Sequence, residues 1–572
     1  MNKRTFAIWS LGIGLGVGLL ASILFYQQYL GSNVLIFMLT AFLALVALSR
    51  PTQVRLRWRN LWLLLPMVFF ALMIMVRADP LITLLNVCAI LGLGMLILYY
   101  FPSEAHIDEA SFAENTFAVV STPIALLPEA VIQVSSGWQW LRENRHTGGR
   151  NTAAVIRGLV IAAPIVLVFV FLLGSADAVF ANVVGRALDD VWQRFGLNLD
   201  ATVSRFFYVI VFGLAAVGAL GFGLRRDTLI GTLKTTTAPD WAKPQDAADE
   251  DAPATTPSEK HKPKPGFKLG MIESTIVLGS IVGLFGLFVV IQFAYFFGGL
   301  NTLQLTGLTY AQYARRGFFE LVAVTVLTLG LALFLDRSTV RQQRLESLIF
   351  RGLALALVGL VMVMLVSASQ RMLLYEEAFG FTQLRVYSHV SILWIAALFG
   401  VFLLTLFRVR VQIFSFGSLL VIIGYLVSLN MLNVDAYIAE RNIARWQAGE
   451  GRDLDVAFLN TLSVDALPAV YNLYSSSPLD SQERDWAGRW LAWHWGDVLT
   501  LPAAQNAFAF NLSRRTGYDL VAPIHTQLPE VDRWSLQYSY GWTDSDAIVQ
   551  ETSREEASVS GWDTIPATQT AP

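Results

Sequence analysis

The sequence predicts an all-α, polytopic helical membrane protein with about eleven transmembrane helices and a small helical extracytoplasmic C-terminal domain. Three observations carry this prediction. Of 572 residues, 55% are hydrophobic and only 15% charged, with mean hydropathy +0.52, whereas an ordinary soluble domain carries roughly 25% charge. The apolar residues gather in runs of about 20, the length at which a helix crosses a bilayer. Arg and Lys fall in alternate connections, as they do in the cytoplasmic loops of multi-pass proteins. A net charge of −2 excludes general affinity for nucleic acid. The single cysteine, Cys88, lies in an apolar run, which leaves neither a disulfide framework nor a cysteine metal site.

In chain order the spans fall near 6–26, 33–49, 61–76, 81–101, 154–173, 206–224, 270–297, 317–335, 352–369, 386–407 and 411–430. Lys3 and Arg4 precede an apolar run too long for a signal peptide, and no small-residue cleavage site follows, so the first span is read as uncleaved. Within it Gly12, Gly14, Gly16 and Gly18 provide small-residue spacings that let helix backbones approach closely. Packing inside the same bundle is the simpler use of them, and a dimerisation face the other. The spans 61–76 and 81–101 are joined only by Arg77-Ala78-Asp79-Pro80, a tight helical hairpin.

Residues 102–150 read as a cytoplasmic loop, acidic at first and then amphipathic around Val131, Ile132, Val134, Trp138, Trp140 and Leu141, an interfacial helix. Phe180, Val184, Leu188, Val191 and Phe195 recur at helical spacing after the fifth span and predict a second amphipathic helix on the outer surface. Residues 227–268 are rich in Thr, Ala, Pro and charge and read as a disordered cytoplasmic linker. It separates an N-terminal region of six spans (1–226) from a C-terminal core of five (269–430).

From 431 the apolar runs stop, and 431–520 reads as the extracytoplasmic helical domain, followed by an extended or disordered tail over 521–572. Its expected helices run from Asp435 to about Gly449, from Asp453 to Leu462, and from Asp465 as N-cap to Tyr474. A fourth follows Trp486, Trp490 and Trp493, and a fifth runs from Pro502 to Leu512.

Arg50, Arg55, Arg57 and Arg59, then Arg225 and Arg226, Lys260 to Lys268, Arg337 to Arg351, and Arg408 with Arg410 all fall on the side of Lys3 and Arg4. The N-terminus is therefore expected in the cytoplasm and the C-terminus outside. Arg315, Arg316, Arg371 and Arg385 then lie on the outer side, against the bias.

No HExxH or other metal-ligand spacing, no Walker A sequence and no G-x-S-x-G elbow occurs. Catalytic, metal-binding and cofactor-binding residues are accordingly expected to be none. Ionisable residues at or inside spans are the remaining pointer to function. Thr309 opens a helix by a capping box with Gln312, Leu308 and Tyr313 close its first turn as a hydrophobic staple, and one turn later come Arg315, Arg316, Gly317 and then Glu320. Glu320 stands four residues after Arg316, where an intrahelical pair forms. A second outer segment, Gln370 to Arg385, reads as a short charged helix stopped at Gly380. Tyr310, Arg315, Arg316, Glu320, Arg371, Glu376, Glu377, Arg385, Asp435, Arg441 and Asn442 are thus the candidate polar layer between bundle and outer domain, functional or structural.

Tyr310 to Leu321, Gln370 to Arg385 and Asn433 to Asn442, with Ser175 to Phe180, resemble the signatures of a bacterial multi-pass membrane protein family. It is the domain of unknown function 4173, with a sister numbered 4153, and the resemblance spans roughly 170–475. It implies a plasma (inner) membrane location and carries over no catalytic role. Three functional readings follow. The first is non-enzymatic: an envelope protein whose outer domain senses, scaffolds or docks a protein partner. The second is a secondary transporter with a path through spans seven to eleven, and the third, a membrane-embedded enzyme, ranks last. The lipid bilayer is the one partner common to all three, and nucleic acid is a partner in none.

The expected topology has a direct test. A reporter active only outside the cytoplasm should be active when fused after Val521 and silent at Ala247; the reverse pattern would show the spans miscounted.

Overall fold

The computed structural model describes residues 3–52, 54, 58–101, 107–143, 199–237, 269–297, 318–408, 411–450, 454–501 and 506–530. Every extended element among them is a helix. Among the described residues ten helices are long and apolar enough to cross a membrane, and a shorter apolar stretch, Asn60–Val76, accompanies them. The protein is an all-α, multi-pass membrane protein.

The N-terminal bundle is built from α1 (Lys3–Phe25), α2 (Ser32–Thr52), α3 (Leu64–Val76), α4 (Pro80–Tyr100), α5 (Phe112–Glu143) and α6 (Leu199–Thr237). Phe6, Leu45, Phe70, Ile90, Leu93, Ile97 and Leu220 meet in its core. The C-terminal bundle comprises α7 (Met271–Phe297), α8 (Phe318–Ser338), α9 (Arg344–Phe379) and α10 (Gln383–Arg408), around Leu278, Leu329, Leu357, Val361, Phe399 and Phe402.

The next helix, α11 (Val411–Leu432), is the joint between them. Gly417 and Gly424 let it lie directly against Val401 and Trp394 of α10, where any Cβ would overlap those side chains. On its other side Leu419, Ile423, Leu426 and Val427 pack into the N-terminal core.

The glycines of α1 divide by face. A Cβ at Gly14 would overlap Val217, and one at Gly18 would overlap the Val209 carbonyl, so α6 packs backbone to backbone there. Gly12 and Gly16 face open space. Two of the four therefore serve packing within the chain.

Within the expected loop 102–150 the helix is longer than the sequence pattern marks. α5 is one helix of 32 residues beginning at Phe112, with Ser111 accepting from the Glu114 N–H and Glu114 reaching back to the Ser111 N–H as a capping box. Its length alone would let it cross a membrane. Its contacts run otherwise. Near its start, Asn115 touches Tyr100 at the end of α4 and Ser415 at the beginning of α11. Leu126 and Glu129 lie against Gly218 and Gly221 of α6, and Gly137 lies against Leu11 of α1. Because α1 and α6 are antiparallel, with Gly14 opposite Val217, Leu11 stands level with the same part of α6. The helix therefore runs across this pair rather than along it. Thr122, Glu129 and Gln133 face inward, while Phe117, Val120, Ile124, Leu127 and Val131 face outward.

The C-terminal domain contains α12 (Val434–Gln447), α13 (Leu467–Ser476), α14 (Gln482–His494) and α15 (Leu512–Val521). Its core of Ile438, Leu462, Leu467, Val470, Leu473, Trp486, Trp490 and Leu491 continues without a break into Ile82, Val386 and Leu429 on the ends of α4, α10 and α11. α12 ends in a Schellman motif: Gly449 is left-handed (φ 70°), the Glu450 N–H reaches the Arg445 carbonyl, and the Gly449 N–H reaches that of Trp446.

Several boundaries differ from expectation. Of the helix expected over 453–462, residues 454–462 form only one helical turn, Val456–Leu459, capped by Asp455. The fifth domain helix begins at Leu512 with Asn511 as cap, where the sequence pattern placed its end. The chain after Val521 still turns through His525–Gln527 before residue 530. α6 continues to Thr237, into the expected linker, and the charged segment from Gln370 is the end of the 36-residue α9 rather than a separate helix. The expected span 154–173, the helix around 180–195, residues 238–268 and the tail 531–572 lie outside the described residues.

Gly18→Ala should lower stability by about 1–3 kcal/mol, since the added methyl meets backbone, and Gly16→Ala should be neutral or slightly stabilising. Thermal melts of the two variants in one detergent check the contrast.

Candidate functional site: the seam between bundle and C-terminal domain

A helix leaves its first N–H and last C=O groups without partners inside the helix. The α3–α4 hairpin places both kinds of end side by side beneath the C-terminal domain, and that domain supplies the partners. The Asn511 amide donates to the carbonyls of Ile74 (3.0 Å) and Arg77 (2.7 Å), and Ser513 Oγ donates to that of Val76 (2.9 Å). In return Asp465 accepts from the N–H groups of Ala78 and Asp79, each at 3.0 Å.

Asp465 is free to do so because Ser463, not Asp465, caps the short turn Val464–Ala466. Pro468 consequently sits one position earlier in its helix than expected, among the first two residues of α13. Asp79 caps α4 just before Pro80, its Oδ1 accepting from Leu81 (2.7 Å) and Ile82 (3.1 Å). Its Oδ2 lies 3.3 Å from the hydroxyl of Tyr387 on α10.

A third carboxylate sits in the first turn of α12. Asp435 accepts from Gln383 Nε2 (2.6 Å) and from the Ser463 N–H (2.8 Å), tying the start of α10 to the domain. Below the hairpin, Asn86 and Asn430 exchange side-chain hydrogen bonds at 2.9 and 2.7 Å, and Arg77 Nε donates to the Asn430 carbonyl at 2.9 Å. Asp79, Asp435 and Asp465 are all buried, at 3%, 1% and 3% exposure, so the seam holds three carboxylates away from water.

The turn at Gly380 forms the other half of the seam. Its φ of 77° ends α9, and a Cβ there would crowd Asn442 Oδ1. Asn442 in turn accepts from the Phe381 N–H at 2.8 Å and donates to its carbonyl at 2.9 Å. Arg445 binds the carbonyls of Glu376 and Glu377, while Arg385 binds those of Phe379 and Gly380 and lies 4.1 Å over the Tyr375 ring. These cations neutralise the negative end of α9. Glu376, buried near that end, meets His389 Nε2 at 3.1 Å.

Burial pushes Asp79 up to about 6, reinforced by the neighbouring charge of Asp435, and its two capping N–H bonds oppose the rise. Burial likewise pushes Asp465 upward, against hydrogen bonds from Ser513, Ala78 and Asp79 and the charge of Arg77. Deeper in the domain, burial drives His494 down to about 4, stacked on Trp490 with its Nδ1 at that residue's carbonyl. His494 is therefore neutral at ordinary pH.

Of the expected polar layer, Glu376, Glu377, Arg385, Asp435, Arg441 and Asn442 come together at this seam, Arg441 lying 5.4 Å over Tyr437. Arg371 lies two turns before the end of α9. Glu320 falls in the first turn of α8, and Tyr310, Arg315 and Arg316 lie outside the described residues, so the pairing of Arg316 with Glu320 lies outside them too. The sequence reading missed Asp79, Asp465, Tyr387 and the Asn86–Asn430 pair as site members. An Asp directly before Pro at the start of an apolar run marks a cap, and Asn inside two spans marks an interhelical contact; both signals were present.

From Asp79 a file of polar groups descends between α10 and α11: Tyr387, then Ser391 against Tyr425 (3.3 Å), then Trp394 against Ser428 (3.0 Å). Among the described residues it stops where Gly424 meets the Trp394 ring, and the contact of Gly417 with Val401 further along is apolar. No group of three or more potential metal ligands occurs among the described residues.

A family profile described as Domain of unknown function (DUF4153) matches residues 64–473. The chain belongs to this family. The match takes in the α3–α4 hairpin, α12 and Asp465, so the seam from Asp79 to Asp465 lies inside the family domain, and it begins well before residue 170. The family shown is 4153, named above as the sister of 4173. Comparison with curated proteins and with solved structures gives no match.

Asp465→Ala strands the buried N–H groups of Ala78 and Asp79 and should lower stability by about 2–4 kcal/mol. Asp465→Asn keeps one acceptor and should fall between this variant and the parent in the same detergent melts.

Proposed function

We propose that this is a multi-pass protein of the bacterial plasma (inner) membrane, with its N-terminus in the cytoplasm and its C-terminal domain outside. It works without catalysis, by sensing, scaffolding or docking a protein partner on that domain. The observation that carries this reading is the seam. The domain shares one core with the ends of α4, α10 and α11 and is tied to the α3–α4 hairpin through Asp465, Asn511 and Ser513. A domain so fixed presents a surface of constant orientation relative to the membrane. The exposed Leu479, between α13 and α14, lies on that surface.

Transport through spans seven to eleven remains the second reading, favoured by the polar file below Asp79 and by the buried Glu376, whose Oε1 has no hydrogen-bond partner among the described residues. Against it stands the closure of that file at Gly424 and Trp394. The two readings separate in one pair of measurements. Purified protein in liposomes loaded with a pH-sensitive dye should carry no more proton flux than empty liposomes under an imposed gradient. A photocrosslinking residue at Leu479 in cells should give a discrete protein adduct that Leu479→Glu in the parent chain weakens functionally. Proton flux abolished by Glu376→Gln would sink the docking reading and establish the transporter.

A further inference from the structure

The three seam carboxylates are not equivalent. Asp435 has each oxygen held by an N–H donor, from Gln383 and Ser463. Asp465 has both oxygens held by the amides of Ala78 and Asp79. Donors so arranged leave neither oxygen of either carboxylate without a partner. Asp79 differs. Its Oδ1 takes two capping amides, but its Oδ2 meets only the Tyr387 hydroxyl, at the long distance of 3.3 Å.

Among the described residues, the charged and titratable groups around it give it no cation of its own. Asp435 and Asp465 repel it from the C-terminal domain, Tyr387 faces it from α10, and Tyr425 stands behind Tyr387 on α11. The nearby Arg77 lies toward Asp465 and the Asn430 carbonyl, and Arg514 toward Asp465 with its guanidinium over Tyr29. A proton on Oδ2 lets Asp79 itself donate across the long contact with the Tyr387 hydroxyl and removes a negative charge buried beside two further carboxylates.

We propose that Asp79 is a proton-binding site at the seam, and that protonation there tightens the C-terminal domain onto the bundle. The site is independent of whether a partner docks on the domain. The sign follows from linkage. An acid whose folded pKa is raised binds its proton more tightly in the closed seam than in the opened one. Closure is therefore strengthened as pH falls through about 6, and the gain is lost as pH rises again. For an opened seam in which Asp79 returns to its ordinary value of 3.8, the opening equilibrium should be about tenfold larger at pH 7.5 than at pH 5.

The test is amide hydrogen exchange of the full chain in detergent micelles, read as protection factors at Ala78, Asp79 and Ser463 between pH 5 and 7.5. The parent should show the tenfold change. Asp79→Asn, which keeps a capping oxygen and is neutral at every pH, should show high protection with no pH dependence. A parent without pH dependence overturns the proposal, as does an Asp79→Asn protein with the parent's slope. Should Asp79→Asn fail to fold, Asp435→Asn takes its place: removing the repelling neighbour should move the midpoint to lower pH, and an unmoved midpoint overturns the proposal. Proton flux in liposomes bears on the docking reading alone, and seam protection on this one alone.

Discussion

When two apolar helices turn sharply at a membrane surface, the turn exposes carbonyls from the first and amides from the second. If a folded domain then covers the turn, water can no longer satisfy them, and each must find a partner in the cover. Here Asp465 takes the amides of Ala78 and Asp79, while Asn511 and Ser513 take the carbonyls of Ile74, Arg77 and Val76. These partners come from two separate segments of the domain, some 390 to 440 positions from the hairpin by their numbering. Docking and satisfaction of the hairpin are thus one event, and the remaining seam contacts presuppose it. The Gln383–Asp435 bond, the Asn442 pairing with Phe381 and the shared core can form only with the domain seated.

The same geometry shapes the electrostatics. An aspartate suits an N-cap, and Asp79 caps α4; an aspartate also suits a pair of amides, and Asp465 has them. Covering both with a domain that brings Asp435 as well concentrates carboxylates faster than cations. Arg77 and Arg514 are themselves depressed by burial and lie toward Asp465. The excess charge falls on the member with the fewest donors.

Helix positions were legible because a run of about 20 apolar residues has few alternatives. The end of α12 at Gly449 and the end of α9 at Gly380 were legible because only a left-handed residue builds those caps. The boundaries inside the C-terminal domain were less so. Asp465 carries every mark of an N-cap, but its carboxylate is claimed by a hairpin far away in the chain, and Ser463 caps in its stead. The site was half legible for the same reason. Asp435, Glu376 and Asn442 stood out as polar residues beside spans, whereas Asp79 and Tyr387 look like an ordinary cap and an ordinary interfacial aromatic until the domain is laid over them. α5 misled differently: acidic residues at its start resembled a loop, although Glu114 only closes a capping box.

The orientation of α5 bears on how the chain is made. Its inward face carries Glu129 and Gln133, and Glu129 fills a notch that exists only because residue 221 is glycine. That notch emerges from the ribosome about ninety residues after the carboxylate that fills it, an interval of about 5–20 s. Throughout that time the newly made helix has an apolar face suited to lipid and a polar face without its partner in α6. Insertion of the first spans and closure of the N-terminal bundle are therefore separate steps. The second begins only when α6 arrives to receive that helix.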